Sequence, residues 1–176
     1  MVQNANISGT TDRGGWTGGS AGDDQNTSNI GNYCSSDNTS TYITGDVGMD
    51  SAPVGPAIFT LQDVDDPEVD GDHKVKYTAI AQQGGFAGPP SLTIALFQAT
   101  SQIWSTTNSS VNTSQFTAYS NTLADQYAAS ITDYDDLILR VTNNGTDMGD
   151  SIKIAWMYLE VPDVGVAGSP FILFVE

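Results

Sequence analysis

The sequence predicts an all-β protein, a two-sheet antiparallel β-sandwich with jelly-roll connectivity and an extended N-terminal arm. Three observations carry that prediction. Short runs of period-two alternation recur along the chain, each bounded by Gly, Pro, Asn or Asp turn residues. The acidic charge is nearly all Asp, with Glu only at Glu68, Glu160 and Glu176, and short-chain Asp favours loops over helices. Apolar residues concentrate after Ile58, leaving the first part of the chain rich in Gly, Ser, Thr and Asn.

At 176 residues the chain suits one domain with an extra arm rather than two domains. Residues 1–36 read as a flexible arm, because Gly14-Gly15-Trp16-Thr17-Gly18-Gly19-Ser20-Ala21-Gly22 loses much backbone entropy on ordering. Residues 37–162 read as the sandwich, and residues 163–176 as a linker followed by an apolar terminal strand, Phe171-Ile172-Leu173-Phe174-Val175. Left exposed, that last run would be an aggregation edge, so it is expected to pair.

Within the sandwich, Thr39–Thr44 is a weak first strand and Ala57–Leu61 a firmer one, set off by Gly55-Pro56 and by the acidic stretch Asp63–Asp72. Lys74–Ala81 alternates, with Val75, Tyr77 and Ala79 inward. Ser91–Thr100 is a strong strand that Gln102–Ser105 completes as a hairpin, and Trp104 is most simply core. Phe116, Ala118 and Tyr119 suggest a further strand, and Leu123–Ser130 is the one helical candidate, favoured by its Ala content.

The most specific stretch runs from Ile131 to Pro162. Leu137, Leu139 and Val141 share one side of a strand, with Arg140 and Thr142 opposite. Asn143–Asp150 supplies turn residues, so a hairpin is expected, returning through Ile152–Val161 until Pro162 ends the ladder. Strict alternation would put Ile154, Trp156 and Tyr158 on one side of this last strand and Ala155, Met157, Leu159 and Val161 on the other.

The run Ile131-x-Asp133-Tyr134-x-Asp136-Leu137-x-Leu139-Arg140-Val141, followed by Ile154-x-Trp156-x-Tyr158-Leu159-Glu160-Val161-Pro162, resembles the end of a jelly-roll-like β-sandwich module of tailed-bacteriophage structural proteins. Asp65-Asp66-Pro67 and Lys74–Ala81 are similar to the module's beginning. The resemblance implies assembly: a virion protein on the capsid surface, a decoration or cement protein contacting the major capsid protein and copies of itself, with a trimer by analogy. A tail or fibre component, with receptor binding as its role, follows from the same module as the alternative. From a different class, sandwiches often present aromatic residues to sugars, and a carbohydrate-binding module would draw on Trp16, Phe86, Trp104 and Tyr119.

Charge narrows the partners. With 21 acidic and 5 basic residues the formal charge is −16, which repels nucleic acid and acidic membrane surfaces. The lone Cys34 excludes an intramolecular disulfide, and the N-terminus shows neither the basic nor the apolar region of a secretory signal. No enzyme constellation stands out, since no phosphate loop, zinc spacing or nucleophile with a base is present in the sequence pattern. His73 has only an acidic loop beside it and reads as a strand-edge histidine.

Two sets of residues are singled out. Asp66, Glu68 and Asp70 follow the opening spacing of a calcium-binding EF-hand loop, but Tyr77 stands where the closing bidentate Glu belongs, so Ca2+ competes with a plain solvated turn. Trp16 either tucks against its own domain or anchors on a neighbour. Together with Phe171, Ile172 and Phe174 it makes up the expected partner contacts.

Overall fold

The computed structural model describes residues 2–18, 40–49, 52–68 and 71–163. Ten strands are present among them: β1 Val2–Asp12, β2 Thr17–Gly18, β3 Ile43–Asp46, β4 Val54–Leu61, β5 Lys74–Gln82, β6 Leu92–Gln98, β7 Ser101–Asn108, β8 Thr117–Thr122, β9 Leu137–Asn143 and β10 Ser151–Pro162. One short helix, α1 Asp125–Ala128, and a 3-10 turn at Tyr134–Asp136 lie between β8 and β9. The all-β, two-sheet antiparallel architecture expected from the sequence is the one observed.

The first sheet is built on β10, which pairs along one edge with β5, itself paired to β8. The other edge of β10 is shared: β3 takes Ser151–Ile154 and β1 takes Tyr158–Pro162, with β2 beyond β3. The second sheet runs β1-β4-β9-β6-β7. Strand β1 belongs to both, pairing with β10 through Asn6 and with β4 from Ile7 onward. A register shift between Ile7 and Gly9 makes the corner, where Ser8 Oγ donates to the Leu61 carbonyl at 2.9 Å.

Residues 2–18 are not an arm, contrary to expectation, because β1 is a shared strand of both sheets. Its apolar signal is small, only Ala5 and Ile7 being buried among its first residues, and ladder hydrogen bonds to two partners hold it where propensity would not. The rest of the expected arm, residues 19–36, lies outside the described residues, as does the terminal run 164–176.

The expected hairpin between β9 and β10 is also absent. β9 pairs with β4 and β6 and β10 with β1, β3 and β5, so Asn144–Asp150 crosses from one sheet to the other. Asp150, fully buried, organises that crossing: its carboxylate accepts the backbone N–H of Gly84 at 2.8 Å and of Thr146 and Asp147 at 3.1 Å. Asn143, also buried, donates to the Gly45 carbonyl at 2.8 Å and accepts the Gly145 N–H at 2.9 Å. Turn residues mark a change of direction, and tertiary hydrogen bonds decide which sheet receives the chain.

The core between the sheets takes Phe59, Ile94, Leu96, Leu139 and Val141 from one side and Val75, Tyr77, Ile152, Ile154, Met157 and Leu159 from the other. Trp16 is 0% exposed and donates its indole N–H to the Gly55 carbonyl at 3.1 Å. It is a core residue: of the two alternatives the ring tucks against its own domain, and it is not the expected partner contact. His73, expected at a strand edge, is likewise buried, its Nδ1 bonded to the Gly71 carbonyl at 3.0 Å and its Nε2 to the Tyr134 hydroxyl at 2.7 Å. With a carbonyl facing it, Nδ1 is a donor, and Nε2 shares a hydrogen bond with the tyrosine hydroxyl.

Candidate functional site

The outer face of the β8-β5-β10-β3 sheet collects the chemistry. Its geometry follows from a bulge in β10, where the register against β5 shifts between Ile154 and Trp156. Before the shift Ile152 and Ile154 point into the core; after it Met157, Leu159 and Val161 do. The extra residue, Ala155, therefore turns Trp156 and Tyr158 outward, the re-aiming that bulges perform in strands. Strict alternation misses this because it carries one parity through the whole strand. The signal is nonetheless present, in the break between an even-numbered apolar pair and an odd-numbered apolar triplet.

Trp156 and Tyr158 are half-buried, and their rings stack at 5.0 Å between centres and 23° between planes. Toward the start of β10, the rings of Tyr42, just before β3, and Phe116, just before β8, approach to 5.9 Å. Lys153 extends its ammonium to 5.0 Å from the Tyr42 ring centre, a cation–π contact. A groove of about 300 Å³ opens beside it, lined by Ile80, Ala81, Gln82, Thr113, Ser151 and Lys153. Its wall is held in place: Ala81 N–H donates to the Asn112 carbonyl at 2.8 Å, and Asn112 N–H donates to the Tyr119 hydroxyl at 2.8 Å.

At the opposite end of the row Glu160 accepts from Lys74 at 3.3 Å and, in a closer contact, from Lys76. Burial alone would raise the Glu160 pKa, but the hydrogen bonds from Lys76 and Lys74, and their charges, outweigh it and hold the carboxyl below its ordinary value. The same hydrogen bond raises Lys76. A depressed carboxyl contributes stability that is complete above the unfolded glutamate value of 4.5 and is lost as pH falls through the lower folded value. A raised ammonium contributes stability that is complete below 10.5 and is lost as pH rises through the higher folded value. The stability gap between the wild type and Glu160→Gln, read by urea unfolding, is therefore expected to be flat between those limits and to close at either extreme. A gap independent of pH would show that the ion pairs contribute nothing to it.

Those residues singled out from the sequence that are described fall elsewhere. Asp66 and Glu68 are exposed, and the Asp66 carboxylate accepts the Glu68 N–H at 2.9 Å in a local turn. Among the described residues no group of three His, Cys, Asp or Glu side chains converges as a metal site, and Asp70 lies outside them. Phe171, Ile172 and Phe174 also lie outside the described residues. Of the aromatic residues expected to meet sugars, Trp16 and Trp104 are buried, and Tyr119 packs on the core with its ring stacked 5.0 Å from Tyr77. Phe86 is fully exposed, on the loop between β5 and β6. None of the four belongs to the aromatic row.

No protein-family model and no curated protein sequence matches the chain. Solved structures do. A xylan-binding module of type CBM15 superposes with a TM-score of 0.50 at 14% identity, over 92% of this chain and 96% of that one. The CBM22-1 xylan-binding domain of Xyn10C from Paenibacillus barcinonensis gives 0.43 at 11%, over 93% and 96%. The Stig cyclase Fisc from Fischerella sp. TAU gives 0.45 at 14%, over 93% and 100%. At this identity the first likeness shows the fold: a jelly-roll-like β-sandwich shared with a carbohydrate-binding module. One fold hosts many functions, so the chemistry of the face itself decides the ligand.

Proposed function

We propose that the chain is a glycan-binding module without catalysis of its own, which holds a polysaccharide against the outer face of the β8-β5-β10-β3 sheet. The observation that carries this reading is the row of half-exposed rings Tyr42, Phe116, Trp156 and Tyr158 on a solvent-facing sheet. From Lys153 to Tyr158 the row spans roughly 15 Å at the strand's rise per residue. Aromatic rings offer rigid apolar area at little entropy cost, suited to the apolar faces of sugar rings, while neighbouring polar groups orient the hydroxyls. The likeness to a xylan-binding module supports the same reading at the level of fold.

Trp156 is the residue on which affinity is expected to depend, being central in the row and stacked on its neighbour. Trp156→Ala is expected to weaken binding at least tenfold, in keeping with the roughly 2 kcal/mol that central aromatic anchors contribute. Affinity electrophoresis of wild type and variant through gels containing plant and bacterial polysaccharides reads this directly. Retardation of the folded wild type by none of them would sink the proposal.

The capsid decoration role, with the major capsid protein as partner, rests on the sequence resemblance alone. A receptor-binding tail or fibre component would use the same glycan-facing sheet, and the copy number of the chain in purified particles separates these two placements.

A further inference from the structure

We infer that the glycan held by this face is anionic, and that Lys153 reads its carboxylates at the groove beside Tyr42. The inference rests on the glycan-binding reading and adds the class of polymer. Its basis is where the few cations lie. The chain carries a formal charge of −16 and only five basic residues: Arg13, Arg140, which lies on β9 of the other sheet over the Phe97 ring, and the three lysines Lys74, Lys76 and Lys153. All three stand on the outward side of β5 and β10, the face that bears the aromatic row.

Two of these lysines are already answered, sharing Glu160 at the far end of the row. Lys153 is not: among the described residues no carboxylate comes within ion-pair distance of it, and its ammonium is set over the Tyr42 ring. Asp46, on the neighbouring β3, pairs in register with Ser151 and bounds the site on that margin. A half-buried lysine beside a groove of about 300 Å³ is placed to receive an anion. Its ammonium offers a compact charge with three donors, and Gln82, Thr113 and Ser151 add the amide and hydroxyl partners a sugar acid would engage. The acidic loops elsewhere do not prevent this. Screening reduces their field beyond about 8 Å at physiological ionic strength, so the charges at contact distance decide.

The ligand class this describes is a polysaccharide bearing uronic acids. The test compares polygalacturonate and glucuronoxylan with their own carboxyl-reduced forms, using the full chain in affinity electrophoresis and calorimetry. Wild type is expected to bind the uronate polymers at least tenfold more tightly than the reduced ones, with affinity falling as salt is raised. Lys153→Met, which keeps the apolar stem over Tyr42, is expected to lose that preference while still binding the reduced polymers. Equal affinity of wild type for both forms would overturn the inference and leave the glycan reading standing. Binding to neither form, nor to any neutral polysaccharide, would overturn both. The wild-type comparison alone separates these outcomes, whether or not the variant folds.

Discussion

Trp16→Ala is expected to lower the stability of the domain by about 3–5 kcal/mol, the cost of truncating a large aromatic side chain in a packed core. Trp16 is 0% exposed, and its indole N–H is bonded to the Gly55 carbonyl. The surroundings are also shaped around the ring. A Cβ placed on Gly45 would lie 2.8 Å from Trp16 Cε2, so glycine at that position is what lets β3 pass against the indole. Alanine would leave a cavity bounded by backbone that cannot collapse cheaply, and would strip the Gly55 carbonyl of its donor. A loss of this size is a large fraction of the roughly 5–15 kcal/mol that holds a domain together. Thermal and urea unfolding read it, with Trp16→Phe expected to fall between Trp16→Ala and wild type because it retains most of the apolar volume. A melting temperature unchanged in Trp16→Ala would mean that the β1–β2 corner contributes nothing to the cooperative core.

Asp150→Ala is expected to cost about 3 kcal/mol through a different mechanism, the loss of a buried, charged acceptor that serves three backbone donors at once. Three backbone N–H groups, from Gly84, Thr146 and Asp147, converge on this one carboxylate where the chain passes between sheets. The carboxylate is buried while Gly84 and Thr146 are exposed, so the loss falls on the hydrogen bonds to a charged acceptor, and the space offers little relaxation: a Cβ on Gly84 would sit 2.3 Å from the Met148 carbonyl oxygen. Asp150→Asn keeps one acceptor oxygen and is expected to cost less. Beyond the loss in urea, amide hydrogen exchange at Gly84, Thr146 and Asp147 should accelerate in Asp150→Ala while exchange in the central strand β9 follows only the global loss. Unchanged exchange at those three amides would show that the carboxylate does not hold the crossing.

Much of the sandwich is legible in local pattern. The strands from β4 to β9 fall close to where alternation and turn residues put them, and the hairpin of β6 and β7 is present as expected. The candidate face is not legible in the same way. Trp156 and Tyr158 are visible as residues of the last strand, yet their direction depends on one bulged residue. Trp16, whose glycine-rich polar stretch left open whether it tucks into its own domain or anchors on a neighbour, is fully buried in its own domain. Tyr42 and Phe116 each sit at the margin of a short strand, where no periodicity marks a side, and they meet only because β3 and β8 flank β10 and β5.

The class of structure and most of its strands are therefore written locally, because a period of two and the conformational demands of Gly, Pro, Asn and Asp are properties of short stretches of chain. So is the strong acidity, with three lysines to place. The sheet that each strand joins is not local, nor is the bridging of both sheets by polar Val2–Asp12, nor the burial of Trp16. Those outcomes rest on ladder hydrogen bonds and on packing between residues far apart in the chain. A one-residue change of register at Ala155 is enough to move two aromatic rings from the interior to the surface.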